Sequence, residues 1–185
     1  MNASRVACLL IPAALSGCMS VPIATMAKLD SFDETQFAQL DPSALRVRVS
    51  MPTGFVLDPY ATRLVTTVTF GETKRRDEFR LERVSLLPSS RKGGFFSGDV
   101  PVASYELRLA PESVAAFRGM QALARPGNVK DLDMNVQVSL KDAPRGAREL
   151  RAWVDMLRDP VEGWITLIDG GAIEIDKTTK YGERK

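Results

Sequence analysis

Histidine, which activates the nucleophile in many enzymes, is absent from this chain, and cysteine is scarce. Its 185 residues include no histidine and only two cysteines, Cys8 and Cys18. Without an imidazole, neither a Ser-His-Asp nor a Cys-His arrangement can form, and the usual zinc ligand sets are incomplete. Carboxylate pairs such as Asp155 with Asp159 could support acid–base work, but their spacing does not distinguish them from solvated surface. The sequence therefore predicts no catalytic residue and no metal site.

One serine–lysine spacing matches a known nucleophile motif. Ser89 and Lys92 fit the Ser-x-x-Lys pattern of penicillin-recognising enzymes. That motif needs a helix to place the lysine one turn from the serine, whereas Gly93-Gly94 follows here at once. The chain also contains no Ser-Asp-Asn or Lys-Thr-Gly motif. We predict that the match is a coincidence of composition.

A second spacing matches part of a calcium-binding loop. Asp131, Asp133 and Asn135 occupy its first, third and fifth positions, and Asp142 its twelfth. The sixth position requires a sharp turn and is normally glycine, but here it is Val136. Val136 belongs to an alternating apolar set, so these polar residues are predicted to lie on the outer face of a strand.

The N-terminus carries the most specific signal in the sequence. Arg5 precedes an apolar stretch over residues 6–15, which leads into Leu15-Ser16-Gly17-Cys18. This order is typical of a secretory signal with a small-residue cleavage site. The tetrad resembles the lipobox of bacterial lipoproteins. The resemblance covers about the first twenty residues, and it implies cleavage before Cys18, a diacylglyceryl group on the Cys18 thiol and acylation of the new amine.

This resemblance implies a membrane anchor without a membrane span. The apolar run of about ten residues is shorter than the roughly twenty that cross a bilayer. The covalent lipid on Cys18 is the only non-protein group that the sequence predicts, and no other cofactor is expected. Three acyl chains would make the attachment to the membrane effectively permanent. Met19 stands where an aspartate is associated with inner-membrane retention, which indicates the outer membrane, facing the periplasm. The alternative is an ordinary secretory signal that leaves Cys18 as a plain thiol.

The charge of the mature chain is nearly balanced. Removal of residues 1–17 takes away Arg5 and leaves 24 basic and 23 acidic side chains. This balance argues against a nucleic-acid partner, which favours a strongly basic face. The basic run from Lys74 to Arg76 is flanked by Glu72, Asp77 and Glu78, so we predict a solvated hairpin turn there rather than a phosphate-binding site.

The mature chain is long enough for one domain with a sizeable core, because a chain of this length buries about 68–70% of its unfolded surface. We predict a removed signal peptide over residues 1–17 and an anchor segment with a short helix over 18–40. A β-domain over 41–176 and a polar tail over 177–185 complete the chain. The sequence leaves the oligomeric state open.

Hydrophobic periodicity predicts a mainly β fold. Alternation with a period of two marks strands over 45–51, 64–70, 78–87, 104–109, 134–140, 150–157 and 164–168, with a short piece at 173–175. A change of parity near Glu82-Arg83 predicts a β-bulge. Pro111 begins a predicted helix to about Leu123, and a capping box at Ser31 predicts a short helix from Phe32 to Leu40. The expected fold is an antiparallel, immunoglobulin-like β-sandwich of seven or eight strands with one connecting helix and the short N-terminal helix.

Two places in the sequence are candidates for contact with a partner. Phe95 and Phe96 follow Arg91, Lys92 and two glycines in a predicted loop, where they either cover the end of the core or form an exposed patch. Trp153 has the parity opposite to the apolar residues of its strand. It therefore either faces outward, as an interface residue does, or packs under the helix.

These features favour a lipid-anchored protein of the bacterial cell envelope that acts as a non-catalytic interaction or assembly module with an envelope protein partner. A carrier of an apolar ligand in a β-barrel-like cavity is the alternative, and a carboxylate-based enzyme is the third option. Dense packing of the inner strand faces would favour the module, and a central pocket of a few hundred cubic ångströms would favour the carrier.

Overall fold

A computed structural model gives the structure of residues 34–93, 98–124 and 127–175. This part of the chain contains two helices and nine strands. In chain order they are α1 (Glu34–Gln39), β1 (Arg46–Pro52), β2 (Val56–Leu57), β3 (Arg63–Phe70), β4 (Thr73–Lys92), β5 (Asp99–Leu109), α2 (Pro111–Leu123), β6 (Val129–Gln137), β7 (Leu140–Asp142), β8 (Glu149–Leu157) and β9 (Trp164–Glu174). Neither helix combines the length and the apolar character needed to cross a bilayer.

Seven of these strands form one curled antiparallel sheet in the order β6-β3-β4-β5-β1-β8-β9. The remaining pair, β2 and β7, forms a small second sheet. The predicted mainly β class, the antiparallel pairing and the two helices are confirmed.

The longest strand, β4, changes its neighbour halfway along its 20 residues. Its first part, up to Arg80, pairs with β3, and its second part, from Leu81, pairs with β5. At the change, the Ala110 N–H donates to the Arg80 carbonyl at 3.0 Å, and the Arg80 N–H donates to Ser113 Oγ at 2.8 Å. The register with β5 then shifts between Arg83 and Ser85, so the predicted bulge is confirmed.

The inner face of the sheet surrounds one apolar core. All seven strands of the sheet and both helices contribute buried side chains to this single cluster. The Phe117 ring of α2 lies 5.2 Å from the Phe37 ring of α1 and 5.0 Å from the Phe79 ring of β4, between ring centres. Gln121 Nε2 donates to the carbonyls of Phe37 and Leu40 at 2.7 and 2.8 Å, which satisfies the C-terminal end of α1. The short helix assigned to the anchor segment is therefore packed into the core.

Several predicted elements differ from the structure. The strands predicted over 78–87 and 104–109 are longer, and run over Thr73–Lys92 and Asp99–Leu109. The strand predicted over 134–140 is two strands, because β6 leaves β3 at Gln137 and Leu140 pairs instead with Leu57. The basic run Lys74–Arg76 lies within β4 rather than in a turn. The two pieces predicted at 164–168 and 173–175 form one strand, β9. In each case the strand partner set the boundary, and local periodicity does not report the partner.

A β-bulge at Gly170 keeps β9 continuous. Trp153 pairs with Asp169 and Ala152 pairs with Gly171, so Gly170 is the extra residue on β9. Its φ of 68° lies in the left-handed region, and a Cβ there would stand 3.1 Å from Trp153 Nε1. Backbone conformation and space both therefore require glycine at this position.

Candidate interaction surface

A groove lies on the face of the sheet opposite to the core. It encloses about 400 Å³, and side chains of β1, β4 and β5 line it, among them Arg48, Ser85, Leu87, Arg91, Ser104 and Glu106. These positions alternate along β1 and β5 with residues of the core, which places them on the second face. The groove is thus lined by serine hydroxyls, two guanidinium groups, the carboxylate of Glu106 and one exposed leucine.

A buried polar network lies beside this groove. Arg91 Nη2 forms a close ion pair with Asp155 Oδ2 and donates to Ser50 Oγ at 3.3 Å. Ser50 and Ser104 share a hydrogen bond of 2.8 Å between their hydroxyls, and Thr166 Oγ1 donates to Asp155 Oδ1 at 3.0 Å. Both carboxylate oxygens of Asp155 are thus satisfied, as a residue that is 2% exposed requires.

The Arg91–Asp155 pair shows that the end of β4 bends back over the second face of the sheet. Arg91 is on β4 and Asp155 is on β8, with β5 and β1 between them. The register places Asp155 level with Ser85 of β4, six residues before Arg91. In a flat sheet, three strand spacings of about 14 Å and about 20 Å along the strand would put the two backbones about 24 Å apart, which is more than these two side chains bridge. The pair therefore holds the end of β4 over the sheet and fixes the wall of the groove.

A second guanidinium is held by an aromatic ring. Arg48 Cζ lies 3.7 Å from the centre of the Trp164 ring, within the range of a cation–π interaction. Both side chains are half-buried. The cation at this end of the groove is therefore held in position by the contact.

The second part of β4 projects with both faces in solvent. From Arg83 to Ser90 every residue is exposed except Ser85, which is half-buried. Three exposed apolar side chains lie within four residues of this segment: Val84 is 48% exposed, Leu86 44% and Leu87 61%. We refer to residues 83–92 of β4 as the β4 arm.

The structure separates the contact residues suggested by the sequence. Arg91 lies in the polar network and Lys92 is exposed at the end of the β4 arm. Trp153 is 1% exposed and packs against Gly170, so its ring is not offered at the surface. Phe95 and Phe96, and also Cys18 with the rest of the lipobox, lie outside the described residues.

The structure explains both motif matches, the Ser-x-x-Lys spacing and the partial calcium-binding loop. Ser89 and Lys92 lie on a strand, where residues three apart point to opposite faces, so the helical Ser-x-x-Lys geometry does not exist. Asp131, Asp133 and Asn135 alternate along β6 with core residues, and Asn135 Nδ2 donates to Asp133 Oδ2 at 3.1 Å. This is the polar strand face predicted from the sequence.

A second groove, also of about 400 Å³, lies between α1 and the β8–β9 loop. Asp41 lines it and is exposed. The Ser43 N–H donates to Asp41 Oδ1 at 2.9 Å, and this hydrogen bond, the Ser43 hydroxyl and the nearby Arg118 hold the pKa of Asp41 below its usual value. This groove lies next to the point where the described chain begins.

The polar network was missed by sequence reasoning. The sequence marks Asp155 only as half of a carboxylate pair, since nothing local links it to Arg91, 64 residues away. One signal for the β4 arm was available: Pro88 lies inside an otherwise strand-like run, and prolines in strands are confined to edges and bulges. No protein-family model, curated protein or solved structure matches the chain.

Proposed function

We propose that this chain is a lipid-anchored protein of the bacterial cell envelope, acting as a non-catalytic interaction or assembly module on the periplasmic side of the outer membrane. The lipobox-like tetrad ending at Cys18 supports the anchor. The proposed partner is another envelope protein.

The observation that carries the interaction role is the exposed β4 arm. Val84, Leu86 and Leu87 are three large apolar side chains exposed within four residues, with Leu86 and Leu87 on opposite faces of the strand. Several exposed apolar side chains close together on a folded domain mark a contact site more often than a single exposed apolar residue does. A partner that covers these side chains would remove them from water.

The arm is also held in place before any partner arrives. Pairing with β5 runs along the arm to Lys92, and the Arg91–Asp155 ion pair fixes the arm to β8. A surface that is ordered in the free protein loses less conformational entropy on binding. This favours a specific contact.

The anchor sets the reach of the module. About fifteen residues separate Cys18 from α1, and a chain of that length spans at most about 50 Å when fully extended. The start of α1 must therefore lie within this distance of the bilayer, and the partner surface within this distance plus the length of the domain. An envelope protein at the same membrane satisfies this condition.

The packing of the core favours this role over that of a carrier. One continuous cluster of buried side chains, drawn from all seven strands, fills the inner face of the sheet. The immunoglobulin-like sandwich stays a prediction. What supports it is that the two parts of the sheet, β6-β3-β4 and β4-β5-β1-β8-β9, contribute to the same core.

The anchor is tested by replacing Cys18 with serine in the full chain. The variant should lose acylation in mass spectra of the N-terminus and should leave the membrane fraction. An unmodified N-terminus in the wild-type protein would show that the lipid-anchor proposal is wrong.

The interaction role is tested by photo-crosslinking in intact cells. A photoreactive amino acid at Leu87 should give an adduct with an envelope protein. The matched control is Val161, which is 92% exposed in the β8–β9 loop and away from the arm. Equal adducts at both positions, or none at Leu87, would contradict the proposal.

A further inference from the structure

One side of the β4 arm has no strand partner among the described residues. Pairing with β3 ends at Arg80, whereas pairing with β5 continues to Lys92. The backbone of the arm therefore has a free edge. Free edges are templates for the addition of another strand.

The register identifies the groups that face this edge. Ser90 pairs with Pro101, and the Pro101 carbonyl accepts a hydrogen bond from the Thr53 N–H, on the β1 side. In an antiparallel pair of this kind both residues direct their backbone groups away from each other. The N–H and carbonyl of Ser90 thus point to the free edge, as do those of Leu86, at the same parity. Pro88 lies between them and offers only its carbonyl.

The charged side chains of the β4 arm favour one type of partner strand at the free edge. From Arg83 to Lys92 there are three basic residues and no acidic one. Arg91 is neutralised by Asp155, which leaves Arg83 and Lys92 exposed at the two ends of an apolar and serine-rich run, with Asp99 of β5 directly opposite Lys92. These two cations are about 30 Å apart at the usual rise of a strand.

A second copy of the chain fits this edge poorly. Two copies related by a twofold axis would pair their β4 arms antiparallel. Pairing centred on the exposed run places Arg83 of one copy opposite Arg91 or Lys92 of the other, and like charges directly opposite destabilise a strand pair. Pro88 would in addition withhold a donor from both copies.

We propose that the β4 arm binds an extended segment of its partner as an added β-strand, with acidic side chains at both ends of that segment and apolar side chains between them. This inference rests on the proposed interaction role and specifies how that role is performed. Main-chain hydrogen bonds to Leu86 and Ser90 hold the segment. Contacts with Leu87 and the two flanking cations select it.

The probe is a short capped peptide with a glutamate at each end and alternating valine and serine between them. The control peptide carries lysine in place of both glutamates. The full chain should bind the glutamate peptide more tightly, and added salt should weaken this binding by screening the charges. Substitution of both cations, Arg83→Glu with Lys92→Glu, should reverse the preference.

Amide exchange measured residue by residue by NMR distinguishes strand addition from a contact between side chains. In the free chain the Leu86 and Ser90 amides should exchange rapidly, and the glutamate peptide should protect them. The amides of Leu87 and Ser89 face β5 and should be protected with or without peptide.

Ser90→Pro removes one donor from the free edge without removing a bond to β5. It should weaken peptide binding by about two- to tenfold, the value of one hydrogen bond. Ser90→Ala keeps the N–H and should bind like the wild type. A comparison of melting temperatures identifies any loss that comes from unfolding.

Several results would overturn the inference. Peptide binding without protection at Leu86 and Ser90 would place the contact in the groove, and the interaction role would survive. Protection of both amides in the free chain, a salt-resistant dimer formed through the arm, or no preference for the glutamate peptide would each show that strand addition of an acidic segment is wrong. The Leu87 crosslink in cells tests the interaction role separately.

Discussion

The Arg91–Asp155 pair gives the sharpest test of the structure through stability. Asp155 is 4% exposed at its side chain and Arg91 is 24% exposed. Arg91→Met would leave a carboxylate with almost no access to water, and breaking a buried pair in this way costs about 3–5 kcal/mol. Asp155→Leu should cost less, about 2–3 kcal/mol, because the Arg91 guanidinium can turn towards solvent.

The double variant separates an ion pair from a general packing defect. With both charges replaced by apolar side chains, the remaining loss is chiefly the acceptor of Thr166, about 1 kcal/mol. The double variant should therefore be more stable than Arg91→Met alone, so the two effects are strongly non-additive. Urea unfolding followed by circular dichroism measures all four proteins. Two small, additive losses of stability would refute the burial of this pair.

Three further predictions concern the glycine bulge, the acidic side chain near α1 and metal binding. Gly170→Ala should destabilise the chain by at least about 1 kcal/mol, because it forces a positive φ and a clash with Trp153; a wild-type unfolding midpoint in urea would contradict the bulge geometry. Asp41→Asn should be less stable than the wild type at pH 7, since a lowered folded-state pKa stabilises only the ionised form. This difference should vanish as the pH falls through and below the usual value of 3.8, and a constant difference between pH 7 and pH 2 would exclude this cause. Thermal melting with chelator and with added calcium should coincide, whereas a rise of several degrees with calcium would make the 131–135 segment a binding site.

Individual helices and strands could be predicted from the sequence because the apolar residues of each recur with the period of that element. Alternation located β1, β3 and β8 to within one residue at each end, and it located the second half of β5. The change of parity near Glu82 indicated the bulge in β4. Pro111 and the apolar spacing after it gave α2. These patterns depend on neighbours in the chain, which every segment carries with it.

The pairing of the strands could not be read in the same way. Nothing local states that β4 continues past β3 to pair with β5, or that β7 leaves β6 for β2. Those choices depend on the summed packing of distant segments, so identical patterns suit a sandwich of two sheets or one curled sheet.

The candidate interaction surface separates most clearly the features that the sequence determines from those that only the tertiary structure determines. The sequence by itself determined the lipobox-like signal, the strand periods and the absence of histidine, because these are properties of residues in order. Only the tertiary structure brought Arg91 to Asp155, buried Trp153 against Gly170 and left one edge of the β4 arm without a described strand partner. Each of these depends on the curl of the sheet, which brings together residues that are far apart in the chain.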